Sequence, residues 1–204
     1  MCVRYFIEPE TEEMTDLLFR MNGSALCDKF AAAGNPVKTA GEIRPTDVVP
    51  VIASDQTGAP AVFPMKWGFG MQGRAPIVNA RTETAAQKPT FRESWASHRC
   101  IIPASWYFEW EHFTDESGKR KTGQKYRINP GNASVTWLGG LYRIENGLPV
   151  FTVLTKEPSD GVRRIHDRMP VIFPQSVINA WIRPDADPAT VLPSALTAMQ
   201  IQPC

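Results

Sequence analysis

Short apolar runs, broken by glycine, proline and polar turn residues, recur along most of the chain and predict a protein built mainly from β-strands. The turn sequences at 55–60 and 145–147 are typical of hairpin connections, so the apolar runs on either side of each are predicted to pair. The predicted strands cover residues 3–7, 48–53, 61–67, 100–102, 106–111, 125–128, 135–142, 148–155 and 171–173, with another near 199–201.

Helical spacing of apolar residues is confined to a few stretches. The apolar residues of 14–21 recur at helical spacing, and Ser24 is predicted to cap a second helix that ends near Ala33. Neither predicted helix carries more than a stripe of residues for packing on a core.

Other stretches carry weaker local signals. The glycine-rich stretch 68–76 predicts a flexible loop, and 114–124 predicts a polar loop between two strands. Thr90 and Glu93 match a capping box that would open a short helix, and 174–182 is predicted to form the last helix.

Many short strands with few helices favour a single α+β domain over residues 1–204, built on a strongly bent, barrel-like, mostly antiparallel sheet with peripheral helices. The content of 43% hydrophobic and 21% charged residues is that of an ordinary globular chain. Acidic residues near the start stand where a signal peptide would need an apolar core, and no run approaches the ~18 apolar residues of a membrane span. We therefore expect a cytoplasmic protein.

The charge and cysteine content narrow the set of partners. A net charge of +1 means that any nucleic-acid contact must come from a local basic patch. The four cysteines have no CxxC or cysteine/histidine metal spacing, which predicts reduced thiols rather than a disulfide framework or a metal site. We expect no metal, no cofactor and a monomer.

Cys2 is the residue with the most distinctive chemistry. A side chain as small as cysteine allows an aminopeptidase to remove Met1, which would leave Cys2 with a free α-amine beside its thiol. The amine titrates near ~8 and the thiol near ~8.5, so both have a reactive fraction at neutral pH. Such an aminothiol condenses with an aldehyde to an imine and then closes a thiazolidine ring. The alternative is that Cys2 is an ordinary residue at the start of a strand.

Glu109 and His166 are the candidate proton-transfer groups. Glu109 stands among aromatic neighbours, where an apolar wall would raise its pKa as a general acid requires; strand alternation could instead point it to solvent. His166 suits proton shuttling, although a hydrogen-bonded structural histidine is the commoner case. Asn79 could orient an amine or imine, or form a turn at a strand end.

The arginines are candidate phosphate ligands. Arg4, Arg81 and Arg168 stand beside the polar candidates, and Arg163 and Arg164 precede His166. Ordinary surface salt bridges are the other explanation for them.

Seven short motifs in sequence order make the chain resemble the SOS-response-associated peptidase (SRAP) family. Each is weak alone, but together they span nearly the whole chain. They are the N-terminal Cys2-Val3-Arg4, Arg44-Pro45-Thr46, Lys66-Trp67-Gly68-Phe69, Asn79-Ala80-Arg81 with Glu83-Thr84, Pro103-Ala104-Ser105, Phe108-Glu109-Trp110 and His166-Asp167-Arg168-Met169-Pro170.

The resemblance implies a compact α+β domain that recognises abasic sites in single-stranded DNA and crosslinks to them covalently through a thiazolidine. It implies that Cys2 is the nucleophile, that Asn79 positions the α-amine, and that Glu109 exchanges protons with the opened sugar. His166 would act as acid/base in imine chemistry, in crosslink reversal or in strand cleavage by β-elimination. The DNA contacts implied for this chain are Arg4, Arg44, Pro45, Trp67, Arg81 and Arg168.

The chain departs from the family pattern at three places. Val3 and Trp106 replace glycines that are usual in the family, and larger side chains there are expected to narrow the approach of a DNA backbone. Met71-Gln72 stands where some members have two adjacent aromatic residues, which weakens the case for a wedge at a duplex junction.

Two other functions stay open at this point. One is an N-terminal-nucleophile cysteine peptidase or amidohydrolase, with Cys2 as nucleophile, His166 as base and Asn79 as oxyanion donor. The other is a non-catalytic single-stranded-DNA-binding domain, in which Trp67, Phe69 and the arginines contact the strand.

Overall fold

The computed structural model describes residues 3–21, 23–131 and 133–204. Cys2, and with it the predicted nucleophile, lies outside the described residues. The strands are β1 (Tyr5–Ile7), β2 (Gly41–Ile43), β3 (Val48–Ser54), β4 (Pro60–Trp67), β5 (Phe69–Met71), β6 (Arg74–Ile77), β7 (Asn79–Arg81), β8 (Arg99–Ala104), β9 (Trp106–Thr114), β10 (Arg120–Asn129), β11 (Thr136–Glu145), β12 (Leu148–Lys156), β13 (Met169–Pro170), β14 (Ile172–Phe173) and β15 (Gln200–Pro203). The helices are α1 (Glu12–Met21), α2 (Ala25–Ala32), α3 (Thr82–Ala85), α4 (Arg92–Ser97), α5 (Asp160–Arg163), α6 (Ile178–Ile182) and α7 (Pro188–Val191).

Five strands close into a barrel, which confirms the predicted fold class. Around the ring, β12 pairs with β4, β4 with β3, β3 with β8, β8 with β11, and β11 again with β12. Among the described strands, the ladders are antiparallel except those that join β12 to β4 and to β7. Every residue of β8 is buried, as expected for a strand covered on both faces.

Two adjacent glycines allow the barrel strands to approach closely. A Cβ on Gly140 would lie 2.5 Å from Ile102 Cδ1 and 2.9 Å from the carbonyl oxygen of Thr152. A Cβ on Gly139 would lie 2.8 Å from the ring of Phe173. Side chains at these two positions would therefore push apart the strands that flank β11.

A second sheet carries the start of the chain. Its order is β15-β10-β9-β1-β2, so β1 lies between β2 and β9. The β9–β10 ladder shifts register between Thr122 and Lys125, which oppose His112 and Trp110. An irregularity of this kind changes the direction of the side chains that follow it.

Local signals predicted most element positions. The first two helices and both hairpins are confirmed, and Ser24 caps α2 by accepting a hydrogen bond from the backbone N–H of Leu26 at 3.3 Å. The β11–β12 turn has left-handed backbone at Asn146 and Gly147, with φ of 50° and 77°, as a tight hairpin turn requires. Among the described residues, no helix combines the length and apolar character needed to cross a membrane.

Four local predictions were wrong. The stretch 68–76 is largely a small hairpin of β5 and β6 rather than a flexible loop, because Phe69 anchors it in the core and pairs with Ile77. The loop predicted over 114–124 is shorter than expected, because β10 pairs with β9 from Arg120 onward. The residue that precedes α4 is Phe91, which makes no side-chain capping bond, so Thr90 does not form the predicted capping box. The predicted helix 174–182 is divided into a 3₁₀ turn followed by α6.

Candidate functional site

One open pocket is lined by three of the polar residues that the sequence singled out, Arg81, His166 and Arg168. It lies where the start of the chain meets the ends of β7 and β9 and the segment between α5 and β13. Its volume is about 440 Å³, and it is lined by Val3, Arg81, His112, Arg120, His166, Asp167 and Arg168.

Strand pairing brings the chain start to this pocket. Tyr5 pairs with Tyr107 in antiparallel register, and the backbone N–H of Phe108 donates to the carbonyl oxygen of Arg4 at 2.9 Å. Continuing that register brings Val3 level with Glu109. The residue that follows Cys2 therefore lies beside the carboxylate that the sequence selected.

Glu109 is buried in the wall of the site, with only 2% of its surface exposed. This excludes the alternative in which strand alternation points it to solvent. Burial raises the pKa of its carboxyl group, and the negative charge of Asp167 adds to the rise. A raised pKa increases the fraction of Glu109 that holds a proton, as a general acid requires.

His166 lies close to Glu109, and its side chain is largely buried. Burial lowers the pKa of His166 to about 4; nearby His112 contributes to the decrease, whereas Asp167 opposes it. The His166 ring is therefore neutral at neutral pH and able to accept a proton.

Two contacts of His166 Nδ1 correspond to two positions of the ring proton. Nδ1 accepts a hydrogen bond from the backbone N–H of Arg168 at 3.0 Å, which requires the proton of a neutral ring to be on Nε2. Nδ1 also lies 2.7 Å from Asp167 Oδ1, which stabilises a proton on Nδ1 instead. Residues 167 and 168 therefore provide a hydrogen-bond partner for His166 Nδ1 whether or not this nitrogen carries the ring proton.

β7 places Asn79 and Arg81 on one face. Ala80 between them is buried, and alternation along the strand sends the flanking side chains to the opposite side. Parallel pairing with Val153 to Thr155 of β12 holds β7 against the barrel. Arg81 is exposed and lines the pocket, while Asn79 is half-buried one step earlier on the same face.

Arg168, a predicted DNA contact, lines the pocket and is also bonded within the protein. Its guanidinium makes a paired contact with Glu83, at 2.7 and 2.9 Å, and donates to the carbonyl oxygen of Thr155 at 2.7 Å. These bonds join α3 and β12 to the segment that carries His166. Arg168 therefore orients the site, and the pKa of Glu83 is lowered by this hydrogen bonding.

The other predicted DNA contacts lie apart from the pocket lining or in the core. Glu42 holds three cations, with Arg4 at 3.4 Å, Arg44 at 3.0 Å and Lys125 at 3.1 Å. Pro45 is half-buried in the turn after Arg44. Trp67 is fully buried, and its indole N–H donates to the carbonyl oxygen of Val78, so its ring has no exposed face on which a base could stack.

The two substitutions of family glycines have different outcomes. Val3 does line the pocket. Trp106 instead stacks on Phe6 with ring centroids 4.8 Å apart, beneath the guanidinium of Arg127, and it is not part of the pocket lining. Only Val3 is therefore placed to narrow the approach to the site.

Three residues of the site were missed by sequence reasoning. His112 and Arg120 line the pocket, and Glu83 is the ion-pair partner of Arg168. Glu83 belongs to a motif that was recognised, and its charge opposite to Arg168 was a usable signal. Arg120 lies in the stretch that was predicted to be a loop, and His112 lies beyond the end of the strand predicted over 106–111, so no spacing rule pointed to them.

A larger depression of about 640 Å³ lies elsewhere, beside the β3–β4 and β11–β12 turns. Its lining is mainly apolar, with Phe63, Met65 and Ile144 among the contributors. Its carboxylate, Asp55, accepts hydrogen bonds from the backbone N–H groups of Thr57 and Ala59 within its own turn. The candidate functional groups therefore lie at the smaller, polar pocket rather than in this depression.

Comparisons with known proteins give the chain a family. The model of the family described as "SOS response associated peptidase (SRAP)" matches residues 1–203. Abasic site processing protein YoaM of Bacillus subtilis is 36% identical over 113 residues, which cover 53% of this chain and 48% of the relative. Abasic site processing protein YedK of Escherichia coli is 28% identical over 123 residues, which cover 59% of this chain and 54% of the relative. The chain thus spans about half the length of the curated relatives it matches.

Solved structures agree on the fold. A protein of Bacteroides thetaiotaomicron superposes with a TM-score of 0.73 at 18% identity, over 99% of this chain and 91% of that one. A protein of Bordetella bronchiseptica gives 0.71 at 23% identity, over 100% and 99%. With the family model matched over almost all of its length, the chain belongs to the SOS response associated peptidase (SRAP) family.

Proposed function

We propose that this protein processes abasic sites in single-stranded DNA and forms a covalent thiazolidine crosslink through Cys2 once Met1 has been removed. The observation that supports this most directly is the meeting of the chain start, buried Glu109 and neutral His166 at one pocket. The matched relatives carry the name abasic site processing protein, which agrees with the proposal.

The reaction balances with no group beyond the aminothiol and the sugar. The ring-closed abasic sugar opens to its aldehyde, and the α-amine of Cys2 adds to the carbonyl carbon to give a carbinolamine. Loss of one water yields the imine. The thiol sulfur then adds to the imine carbon while its proton passes to the nitrogen, which closes the thiazolidine. The net change is aldehyde plus aminothiol to thiazolidine plus water.

Glu109 acts as the proton donor and acceptor for ring opening and water loss. Ring opening moves a proton from the sugar hydroxyl to the ring oxygen, and carbinolamine collapse needs a proton on the departing hydroxyl. A buried carboxyl group with a raised pKa keeps its proton to a higher pH than an exposed one, and it can donate that proton and take it back.

His166 acts as the base that accepts the thiol proton, since its pKa of about 4 keeps the ring neutral at the working pH. The Nδ1 contacts to the Arg168 N–H and the Asp167 carboxylate stabilise the ring before and after it gains a proton. The same exchange in reverse would support crosslink reversal or strand cleavage by β-elimination. Asn79, on the same face as Arg81, is assigned to hold the α-amine.

Arg81 and Arg120 are the exposed cations of the pocket and the proposed contacts for the phosphates beside the lesion. Arg4 and Arg44 extend the basic surface past Glu42. Such contacts act on any sequence, as recognition of a lesion without a base requires. The cytoplasmic location and monomeric state expected from the sequence belong to this proposal.

A crosslinking assay tests the proposal. The processed protein is incubated with single-stranded DNA that carries one abasic site, and the products are separated on a denaturing gel. We expect a shifted covalent species that Cys2→Ala and Cys2→Ser abolish. Cys204→Ser is the matched control, because Cys204 is an exposed thiol at the other end of the chain and should be dispensable.

The outcomes distinguish the competing functions. Loss of the shifted species in Cys204→Ser, with retention in Cys2→Ser, would contradict the assignment of the nucleophile. Reversible binding of the same DNA without any covalent product would favour a binding domain. Retention of Met1 in the intact mass of protein from its natural host would also count against the mechanism.

A further inference from the structure

Three side chains at the pocket are arranged as a set of metal ligands. Glu109, His112 and His166 each offer one donor atom, and these atoms all lie within 4.8 Å of one another. We propose that they form a binding site for a divalent transition cation of the zinc class. The three residues come from β9 and from the segment before β13, so the fold rather than local sequence assembles the set.

The donor set suits such a cation. Two imidazole nitrogens and one carboxylate oxygen are ligands that Zn²⁺ binds at about 2.0–2.2 Å, with a fourth position left to water or another group. Donor atoms in a tetrahedral site of that size lie ~3.4 Å apart. His112 is exposed, so rotation of its side chain can shorten the distances to Glu109 and His166.

The surroundings of His166 fit a metal ligand. A cation on Nε2 would require the ring proton to be on Nδ1, where Asp167 Oδ1 lies 2.7 Å away to accept it. A histidine ligand in proteins commonly donates its other ring N–H to a carboxylate, which fixes the ring orientation. The ring would exchange its bond from the Arg168 N–H for the bond to Asp167 on metal binding.

The local charge does not exclude a cation. Arg81, Arg120 and Arg168 bring three positive charges to the pocket lining. Glu109 and Asp167 carry negative charges there, and Glu83 pairs directly with the guanidinium of Arg168. When Glu109 is ionised, the three carboxylates offset the three guanidinium charges, so the side chains alone do not make the site strongly positive.

Bound metal would compete with the abasic-site reaction, and this consequence rests on the proposed function. The cation would occupy the Glu109 carboxylate and the His166 imidazole, which the reaction needs for proton transfer. His112 has no assigned role in that reaction, so His112→Gln separates metal binding from crosslinking.

Calorimetric titration with Zn²⁺ alone tests the site. The measurement uses the full chain with Cys2→Ala, because a free N-terminal aminothiol is itself a chelator. We expect one Zn²⁺ per chain, with an affinity that falls more than about tenfold on His112→Gln. His98→Gln is the matched control, since His98 packs against Tyr142 outside the cluster and its replacement should leave the affinity unchanged.

Unchanged zinc affinity in His112→Gln, or an equal loss in His98→Gln, would overturn the site. In the chain with Cys2 intact, zinc should inhibit crosslinking, and His112→Gln should shift the inhibitory concentration by the same factor as the affinity. Equal inhibition of both proteins would refute competition at the cluster, because zinc would then act through the N-terminal aminothiol. Absence of any crosslinking without zinc would count against the proposed function alone, because zinc binding is measured without DNA.

Discussion

Two buried charged groups, Arg99 and Glu109, show the difference between a structural and a chemical environment. Arg99 is 1% exposed and sits beneath α4 and α6, where its guanidinium donates to backbone carbonyl oxygens from three segments. Those acceptors belong to Trp95, Ala96, Trp181, Arg183 and Ala186. Glu109 is 2% exposed and borders an open pocket with His166. Arg99 closes the ends of α4 and α6, whereas Glu109 faces a place where substrate can bind.

The comparison teaches that burial alone does not identify function. A buried charge surrounded by its own hydrogen-bond partners lowers the free energy of the fold. Burial disfavours the ionised form of Glu109 and raises its pKa. A group with such a shifted pKa beside a pocket is a candidate for chemistry rather than for stabilising the fold. The two kinds of residue should therefore respond in opposite ways to substitution.

Arg99→Met should have the largest effect on stability. It leaves several carbonyl groups without their donor, and the loss of a buried, fully bonded cation costs about 3–5 kcal/mol in the free energy of unfolding. Chemical denaturation measures this change. Arg92→Met, at an exposed position of α4, is the control and should change stability little. A loss of less than about 1 kcal/mol in the free energy of unfolding of Arg99→Met would contradict the structural role assigned to Arg99.

Glu109→Gln should slow crosslinking about 100-fold at neutral pH, with DNA affinity nearly unchanged, because it removes a proton donor and no phosphate contact. Gel assays for covalent and reversible complexes measure the two quantities. Glu111→Gln, two residues further on β9, is the matched control and should crosslink normally. Equal losses of binding and crosslinking in Glu109→Gln would refute the assigned role.

The same variant should be at least as stable as the native protein. The pKa of Glu109 is higher in the folded than in the unfolded protein. Its favourable contribution to the free energy of unfolding is therefore complete below the unfolded pKa of ~4.3, and it is lost as the pH rises through the folded pKa. Glutamine removes this pH dependence. We therefore expect the stability of the variant relative to the native protein, measured by denaturation midpoints, to be higher at pH 8 than at pH 4. A stability difference between variant and native protein that does not change from pH 4 to pH 8, or that moves in favour of the native protein, would contradict this sign.

Glu83→Gln should have an intermediate effect. The substitution removes the counter-charge of largely buried Arg168, and because Glu83 is itself half-exposed we expect a loss of about 1–2 kcal/mol. The pKa of Glu83 is lowered on folding, so its contribution is present above the unfolded pKa of ~4.3 and is lost as the pH falls through the folded pKa. The stability difference from the native protein should accordingly disappear in acid, while Glu93→Gln, exposed on α4, should show none at any pH.

Arg81→Ala should have the smallest effect. One phosphate contact is lost, so affinity for single-stranded DNA should fall several-fold for every sequence, and the slope of log affinity against log salt should decrease by about 0.7. Binding titrations at several salt concentrations measure this slope. Arg20→Ala, on α1 near Pro60, provides a control of equal charge, and an unchanged slope in Arg81→Ala would remove this residue from the interface.

The sequence predicted the fold class and most strand positions because these depend on local patterns. The run 48–53 is apolar throughout, and the Asn146-Gly147 pair favours a tight turn whatever surrounds it. The local errors occurred where tertiary contacts took over, as at Phe69, whose burial turns a glycine-rich stretch into a hairpin. Phe91 replaced the expected cap of α4 for a related reason, since it too packs in the core.

The identity of the candidate residues was also available from the sequence, but their relations were not. Sequence motifs pointed to Asn79, Glu109 and His166, and the chemistry of an N-terminal aminothiol pointed to Cys2. Neither gave the distances between these residues. Only the pairing of β1 with β9, and of β7 with β12, brings three of these segments to one pocket. The burial of Trp67 and the engagement of Arg168 by Glu83 likewise depend on residues far away in the chain.

What the sequence alone determined, then, is the set of elements and the chemical types of the functional groups, because both depend on residues within a few positions of one another. The tertiary structure decided which of those groups meet, how strongly each is buried and in which direction its pKa moves. Those properties arise from contacts between segments separated by tens of residues, such as His166 with His112, and no local pattern encodes them.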